Sequence, residues 1–270
     1  MIATRSIVDL IGRTPLIRLN RLSDQTGCEI LGKAEFLNPG GSIKDRAALS
    51  IVQGARASGA LRPGGVIVEG TAGNTGIGLA LVGAALGHPV VVVMPRTQSE
   101  EKKQAVRSLG ARLIEVDAAP FSSPNHFVHY SGRLASELDA SEPNGALWAN
   151  QFDNVANREA HYRTTAPEIW EQTGGDIDAF VAGIGSGGTI TGTAQVLKSV
   201  GSKAQIILAD PVGSTLAGIV NDGVPGPEGS YTVEGIGQNF VPDTADMSLI
   251  DKAYSIPDAE AIATARELLL

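Results

Sequence analysis

Val66-Ile67-Val68-Glu69-Gly70-Thr71-Ala72-Gly73-Asn74-Thr75-Gly76-Ile77-Gly78, with Leu79 to Leu86 and Val90 to Val93 behind it, is the stretch that decides the fold. Val66-Ile67-Val68 is a short β-branched run, the glycines after it break it, and Leu79 to Leu86 is Ala/Leu-rich and helix-like. Val90 to Val93 is again β-branched, so the segment reads as strand, turn, helix, strand, a unit whose two strands run parallel. Glycines and His88-Pro89 interrupt Val66 to Met94 too often for a membrane span.

Outward from that unit the alternation continues. Glu100 to Leu109 is helical and Arg112 to Val116 strand-like; Ala179 to Ala182 leads into a second glycine loop, a helix-like Ile190 to Ser199 and a strand at Gln205 to Leu208. The pattern predicts an α/β protein of mostly parallel sheets covered by helices. Ligands then belong at the carboxyl ends of the strands, where both glycine loops lie. A chain of 270 residues exceeds what one core usually organises, which predicts two lobes around a cleft. Pro120 to Gly132 reads as a surface loop and Asn150 to Asn157 as a crossing between lobes.

Composition narrows the class. Apolar residues make up 43% and charged residues 19%, the balance of a packed enzyme. A net charge of −8 disfavours nucleic acid as a partner. The single cysteine, Cys28, has no partner within the chain and is expected to be a buried structural residue in a reducing, cytoplasmic setting. Met1 to Asn20 has no apolar stretch with a cleavage site and is read as no secretory signal. His126 and His129, without a nearby Cys or carboxylate, are expected to be loop residues, so no metal site is predicted. Glu100-Glu101-Lys102-Lys103 reads as a solvated helix face.

Three segments carry chemistry. In Asn38-Pro39-Gly40-Gly41-Ser42-Ile43-Lys44-Asp45-Arg46, proline and glycines stop a strand, and Ser42 with Asp45 looks like a capping box, so a helix is expected to start at Ser42. Lys44 then lies in the first turn, where the dipole disfavours its ammonium form and makes it a Schiff-base candidate. A solvated lysine at a helix start is the plain alternative. In Thr71-Ala72-Gly73-Asn74-Thr75-Gly76 the glycines allow close backbone approach and the helix-start amides suit an anion. A tight turn explains those glycines but not the Thr and Asn among them. Gly183-Ile184-Gly185-Ser186-Gly187-Gly188-Thr189 makes an amide nest for a phosphate. It also matches G-x-G-x-x-G with Asp210 downstream, as a dinucleotide fold would have it.

In order along nearly the whole chain, the segments resemble the cysteine synthase and cystathionine β-synthase family of fold-type II pyridoxal-phosphate enzymes. Ile11-Gly12-Arg13-Thr14-Pro15-Leu16 is similar to its "IGxTPL" opening and Asn38 to Arg46 to its "NPxxSxKDR" segment. Thr71 to Gly76 resembles "TSGNTG"; Gln151-Phe152 with Asn154, Asn157 and His161 resembles "QFxNxxNxxxH"; Gly185 to Thr189 resembles the "GTGGT" phosphate cup. Glu234-Gly235-Ile236-Gly237 with Phe240-Val241-Pro242 resembles "GIGxxFxP".

The resemblance implies a tryptophan synthase β-like fold of two lobes, residues 1–37 plus 153–270 and residues 38–152, with pyridoxal 5′-phosphate in the cleft. It implies that Lys44 is the Schiff-base lysine and catalytic base. Asn74 would hold the cofactor's 3′-oxygen, and Gly185, Ser186, Gly187, Gly188 and Thr189 its phosphate. Thr71, Ala72, Asn74, Thr75, Gln151 and Gly235 would line the amino-acid side. The implied reaction is O-acetylserine plus sulfide giving cysteine plus acetate, in a cytoplasmic homodimer that a serine acetyltransferase-like regulator could bind. Cystathionine β-synthase-type replacement with a thiol, dehydratase-type deamination, a catalytically weak binding homologue and a dinucleotide-dependent oxidoreductase stay open as alternatives.

Three features depart from the family pattern. Ala72 stands where serine is usual, which shifts the expectation for the β-substituent. Pro120 to Tyr130 is long and aromatic. The helix read from Pro257 reaches Leu268-Leu269-Leu270 without the family's later Ser-Ser-Gly-Ala segment, so a shortened form with weak cofactor retention is expected.

Overall fold

The computed structural model describes residues 5–268. Leu269 and Leu270, on which the reading of an interrupted last helix rests, lie outside the described residues, as do the first four of the N-terminal segment. In chain order the elements are β1 Leu16–Arg18, α1 Asn20–Thr26, β2 Leu31–Lys33, α2 Lys44–Ser58, β3 Val66–Gly70, α3 Asn74–Leu86, β4 Val90–Pro95 and α4 Glu100–Ser108. Next come β5 Arg112–Val116, α5 Phe127–Ser141, β6 Ala146–Trp148, α6 Val155–Ala160, a π-helical turn His161–Thr165 and α7 Ala166–Gln172. The last are β7 Ala179–Ala182, α8 Gly188–Ser199, β8 Gln205–Pro211, α9 Leu216–Asp222, β9 Lys252–Ile256 and α10 Asp258–Leu268. No helix among the described residues is long and apolar enough to cross a membrane.

The chain forms two compact units: residues up to Gly12 with Glu35–Asn157, and Arg13–Ala34 with Arg158 onward. In the first unit the sheet order is β5-β4-β3-β6, every pair parallel. All five residues of β3 and all six of β4 are buried, which is why they read as continuous β-branched runs: helices cover both faces of a parallel sheet. Its core joins Ile67, Leu79, Val82, Val92 and Met94 to Ile51 and Val52 of α2. In the second unit β7-β8-β9 is parallel and β1-β2 is an antiparallel ribbon. Its core gathers Ile184, Ile190 and Leu197 with Ile206, Leu208 and Leu216.

Four local expectations are corrected. Helix α2 begins at Lys44 with Ile43 as its cap and no capping box: the Asp45 carboxylate turns back to accept the Gly40 N–H at 2.5 Å. Cys28 is exposed, because Gly27 ends α1 in the left-handed conformation (φ 71°) and turns the chain outward. Pro120 to Gly132 is not all loop. It folds into α5 from Phe127, with His126 accepting the Val128 N–H as its cap and His129 Nε2 2.7 Å from the Phe121 carbonyl oxygen. On α4, Lys103 is buried, 2.9 Å from Glu115 and donating to the Arg96 carbonyl, so the Glu100–Lys103 run is not a purely solvated face.

Candidate active site

In the first unit the decisive turn follows the carboxyl end of β3. Thr71 is buried, and its hydroxyl accepts the Gly73 N–H at 3.1 Å, which shapes the loop. Asn74 opens α3 and is exposed; Thr75, one residue on, is buried and donates to Gln151 Oε1 at 2.6 Å. Gln151 is 6% exposed, and its carbonyl accepts from Asn157. Ala72 is half-buried, with its carbonyl oxygen accepting from the Gln98 amide. Gln151, 76 positions along the chain, thus meets Thr75 at the end of the sheet where Thr71 lies.

Lys44 reaches the same end through helix packing. A side-chain carbon at Gly78 would stand 3.1 Å from the Lys44 carbonyl oxygen, a tight contact that shows how closely α2 crosses α3, one turn from Asn74. The segment before Lys44 is tied down by a charged network. Arg46, almost wholly buried, donates twice to Glu35 at 2.8 Å; Glu35 also accepts from Asn38, and Asn38 Oδ1 accepts the Gly12 N–H at 2.8 Å. Burial pushes the Lys44 ammonium pKa down from its ordinary value. The sequence reading assigned that effect to the helix dipole; desolvation is the cause in the folded chain.

Asp45, beside it, is pushed up to about 6, first by burial and then by the Glu35 charge, against the opposing Gly40 N–H. Its folded value lies above its ordinary 3.8, so the folded state favours the protonated acid. The stability this contributes is fully present below about 3.8 and is lost as pH rises to about 6. Asp45→Asn should therefore raise stability at neutral pH by about 1–2 kcal/mol and flatten the loss across that window. Urea denaturation at several pH values checks this; parallel curves for the two proteins would count against it.

In the second unit the glycine loop follows the carboxyl end of β7 and opens α8. Gly187 has φ 87°, and a side-chain carbon there would lie 2.4 Å from Ala245 Cβ; one at Gly185 would lie 2.3 Å from the Gly235 carbonyl oxygen. The 235–245 segment wraps the loop: Gln238 donates to the Gly185 carbonyl at 2.9 Å and Thr244 to that of Ser186. No side chain caps the start of α8, which leaves its first amides to an anion. Thr189 Oγ1 lies 3.3 Å from Nε2 of buried His161, whose Nδ1 is 2.9 Å from Thr165 Oγ1. His161 stands at the π-helical turn, a local irregularity that functional sites often carry.

Each unit by itself carries features that suit one group of pyridoxal 5′-phosphate. A neutral-leaning lysine suits the aldehyde, and an uncapped, glycine-lined helix start with a threonine hydroxyl suits the phosphate. They fit a dinucleotide less well. Asp210, the would-be ribose acid, is 1% exposed and accepts the Ala217 N–H at 2.9 Å, engaged at the start of α9. Among the described residues no cluster of three or more His, Cys, Asp or Glu is placed to hold a metal.

The resemblance already sets the 234–237 and 240–242 segments by the cofactor; the structure adds that Gln238 and Thr244 brace the turn at Gly185 and Ser186. One element escaped the sequence reading: Glu69, a carboxyl group 1% exposed inside β3, whose signal was an acid in an otherwise apolar strand.

Comparison with known proteins follows the same lines. The family model described as "Pyridoxal-phosphate dependent enzyme" matches residues 7–270. The chain is 51% identical to cysteine synthase 1 of Neurospora crassa, over 96% of this chain and 69% of that one. It is 49% identical to cysteine synthase 1 of Emericella nidulans, over 95% and 69%. A crystal structure of O-ureido-L-serine synthase is similar with a TM-score of 0.86 and 37% identity, covering 99% of this chain and 80% of that one.

Proposed function

The chain belongs to the pyridoxal-phosphate dependent enzyme family, and we propose that it replaces the β-substituent of a serine-derived amino acid, turning O-acetylserine and sulfide into cysteine and acetate. The supporting observation is a lysine with a depressed pKa at the start of α2, packed one helical turn from a loop where Thr71, Thr75 and Gln151 converge. In this proposal Lys44 carries the cofactor, Asn74 lies beside its ring, and Gly185, Ser186, Gly187, Gly188 and Thr189 hold its phosphate. Thr71, Ala72, Asn74, Thr75, Gln151 and Gly235 line the amino-acid side.

When bound, pyridoxal phosphate supplies the electron sink that makes the substrate's Cα proton acidic. Lys44, held toward its neutral amine, is the base for that proton. The Thr71, Thr75 and Gln151 side chains, with the loop amides, orient the substrate carboxylate. In the net reaction the Cβ–O bond breaks, acetate leaves with the electron pair, and sulfide forms the Cβ–S bond. The homodimer, the cytoplasmic setting and a serine acetyltransferase-like regulator belong to the same proposal. Ile7, Leu10, Phe36 and Leu37, exposed in the first unit, offer apolar surface that a second copy would cover.

The test is product analysis with purified holoenzyme: O-acetylserine and sulfide should yield cysteine and acetate in equal amounts. Keto acid and ammonia instead would point to deamination. Ala72 favours a second reading in which the preferred β-substituent is not acetyl. Ala72→Ser is expected to shift the relative rates on O-acetylserine, O-phosphoserine and serine by about 10-fold, the effect of one hydroxyl at a hydrogen-bonding position. Unchanged ratios would remove that reading.

A further inference from the structure

Glu69 is an acid in the middle of a buried parallel strand, and the carboxyl group has a definite task there. The pairing of Val68 with Trp148, and of the Ala149 N–H with the Val68 carbonyl, sets the turn at Asn150 and Gln151 beside it. The N–H groups there favour its charged form, while its Oε2 is buried without a hydrogen-bond partner among the described residues. Asn150 turns the chain there with φ 46°, in the left-handed region that asparagine tolerates better than most non-glycine residues. The Gln151 amide oxygen is pinned by the Thr75 hydroxyl at 2.6 Å, and the amide group lies against the Glu69 carboxyl. The amide N–H groups remain available for a substrate carboxylate.

We propose that Glu69 is a positioning residue: acting through Gln151, it sets how tightly the site holds the amino-acid substrate. The inference rests on the reading of Gln151 as a carboxylate-facing residue and deepens it. A carboxylate in this place would put negative charge directly behind the group that must attract the substrate's own carboxylate. Burial, the largest influence, and the nearby Asp153 charge raise the Glu69 pKa to about 8, against the donors from Gln151 and Asn150. The acid is therefore neutral at pH 7 and ionises under mildly alkaline conditions. The neighbouring β4, β6 and α3 carry no titratable side chain; α5 carries His129, Tyr130, Arg133, Glu137 and Asp139, with His126 at its cap.

The experiment titrates holoenzyme with L-serine, reading its dissociation constant from the cofactor's absorbance at about pH 7 and about pH 9.5. The substrate's ammonium titrates equally in every variant, so the ratio of the two constants is compared between proteins. The wild-type ratio is expected to exceed that of Glu69→Gln by about 5- to 10-fold, because glutamine cannot ionise. Glu69→Ala should raise the KM for O-acetylserine at pH 7 by about 10-fold while changing kcat less than about 3-fold, and Glu69→Gln should rescue it. If Glu69→Ala fails to fold, the ratio for Glu69→Gln still decides. Equal ratios in wild type and Glu69→Gln would overturn the proposal. Gln151→Ala separates the two ideas: if it weakens L-serine binding while those ratios coincide, Gln151 keeps its role and only Glu69 loses its own. If Gln151→Ala leaves binding unchanged, both assignments fall.

Discussion

Replacing Lys44 with alanine should lower turnover by at least about 10³-fold, because it removes both the covalent anchor and the base. The fold should not suffer: the ammonium is disfavoured where it stands, so its loss costs no ion pair, and the melting temperature should hold or rise slightly. Borohydride reduction of the wild-type holoenzyme, followed by peptide mapping, should place the pyridoxyl label on Lys44. The obvious rivals are committed elsewhere, Lys33 to Glu168 at 2.7 Å, Lys103 to Glu115 at 2.9 Å and Lys198 to Asp251 at 3.2 Å. Label on any of them, or a Lys44→Ala protein with wild-type turnover, would undo the site as drawn.

Gly187→Ala should weaken cofactor binding by on the order of 100-fold, through displacement of the amides that hold the phosphate. Two costs combine at this position. Any side chain is strained at φ 87°, and the added carbon would lie 2.8 Å from Ala245 Cα, a backbone atom that cannot rotate away. Gly201 separates them. It has φ 74° with nothing within 4 Å of an added carbon, so Gly201→Ala should show only the conformational strain, about 1 kcal/mol, with cofactor affinity intact. Absorbance titration with pyridoxal phosphate and melting of the cofactor-free chains read both effects. Equal cofactor affinities in the two variants would show that the loop does not hold the phosphate.

Much of the architecture was legible in the residues because the pattern is governed by burial. Val66 to Val68 and Val90 to Val93 are β-branched runs covered on both faces, and the glycines between strand and helix mark turns whose geometry depends on little beyond the local chain. The capping box at Ser42 misled for the same local reason. It has the right letters, but Gly40 offers the Asp45 carboxylate a closer donor. Cys28 misled because burial of a small sulfur side chain is a statistical tendency, whereas a left-handed Gly27 points this one into solvent.

The sequence by itself determined the alternating α/β class, the two glycine loops at strand ends, the order of the family's motifs and Lys44 as the lysine to watch. Each is set by composition or by spacing within about one element of chain. Only the tertiary structure decided which distant residues serve those loops. It brought Gln151 onto Thr75, 76 positions away, and set Glu69 behind it. It also ran the 238–244 segment across Gly185 and Ser186 and engaged Asp210 at the start of α9. It replaced the helix dipole by burial as the cause of the depressed Lys44 pKa. Hydrogen bonds and desolvation act through space, so a partner far along the chain leaves no periodicity to read; the buried acid Glu69 in an apolar strand was the nearest thing to a trace.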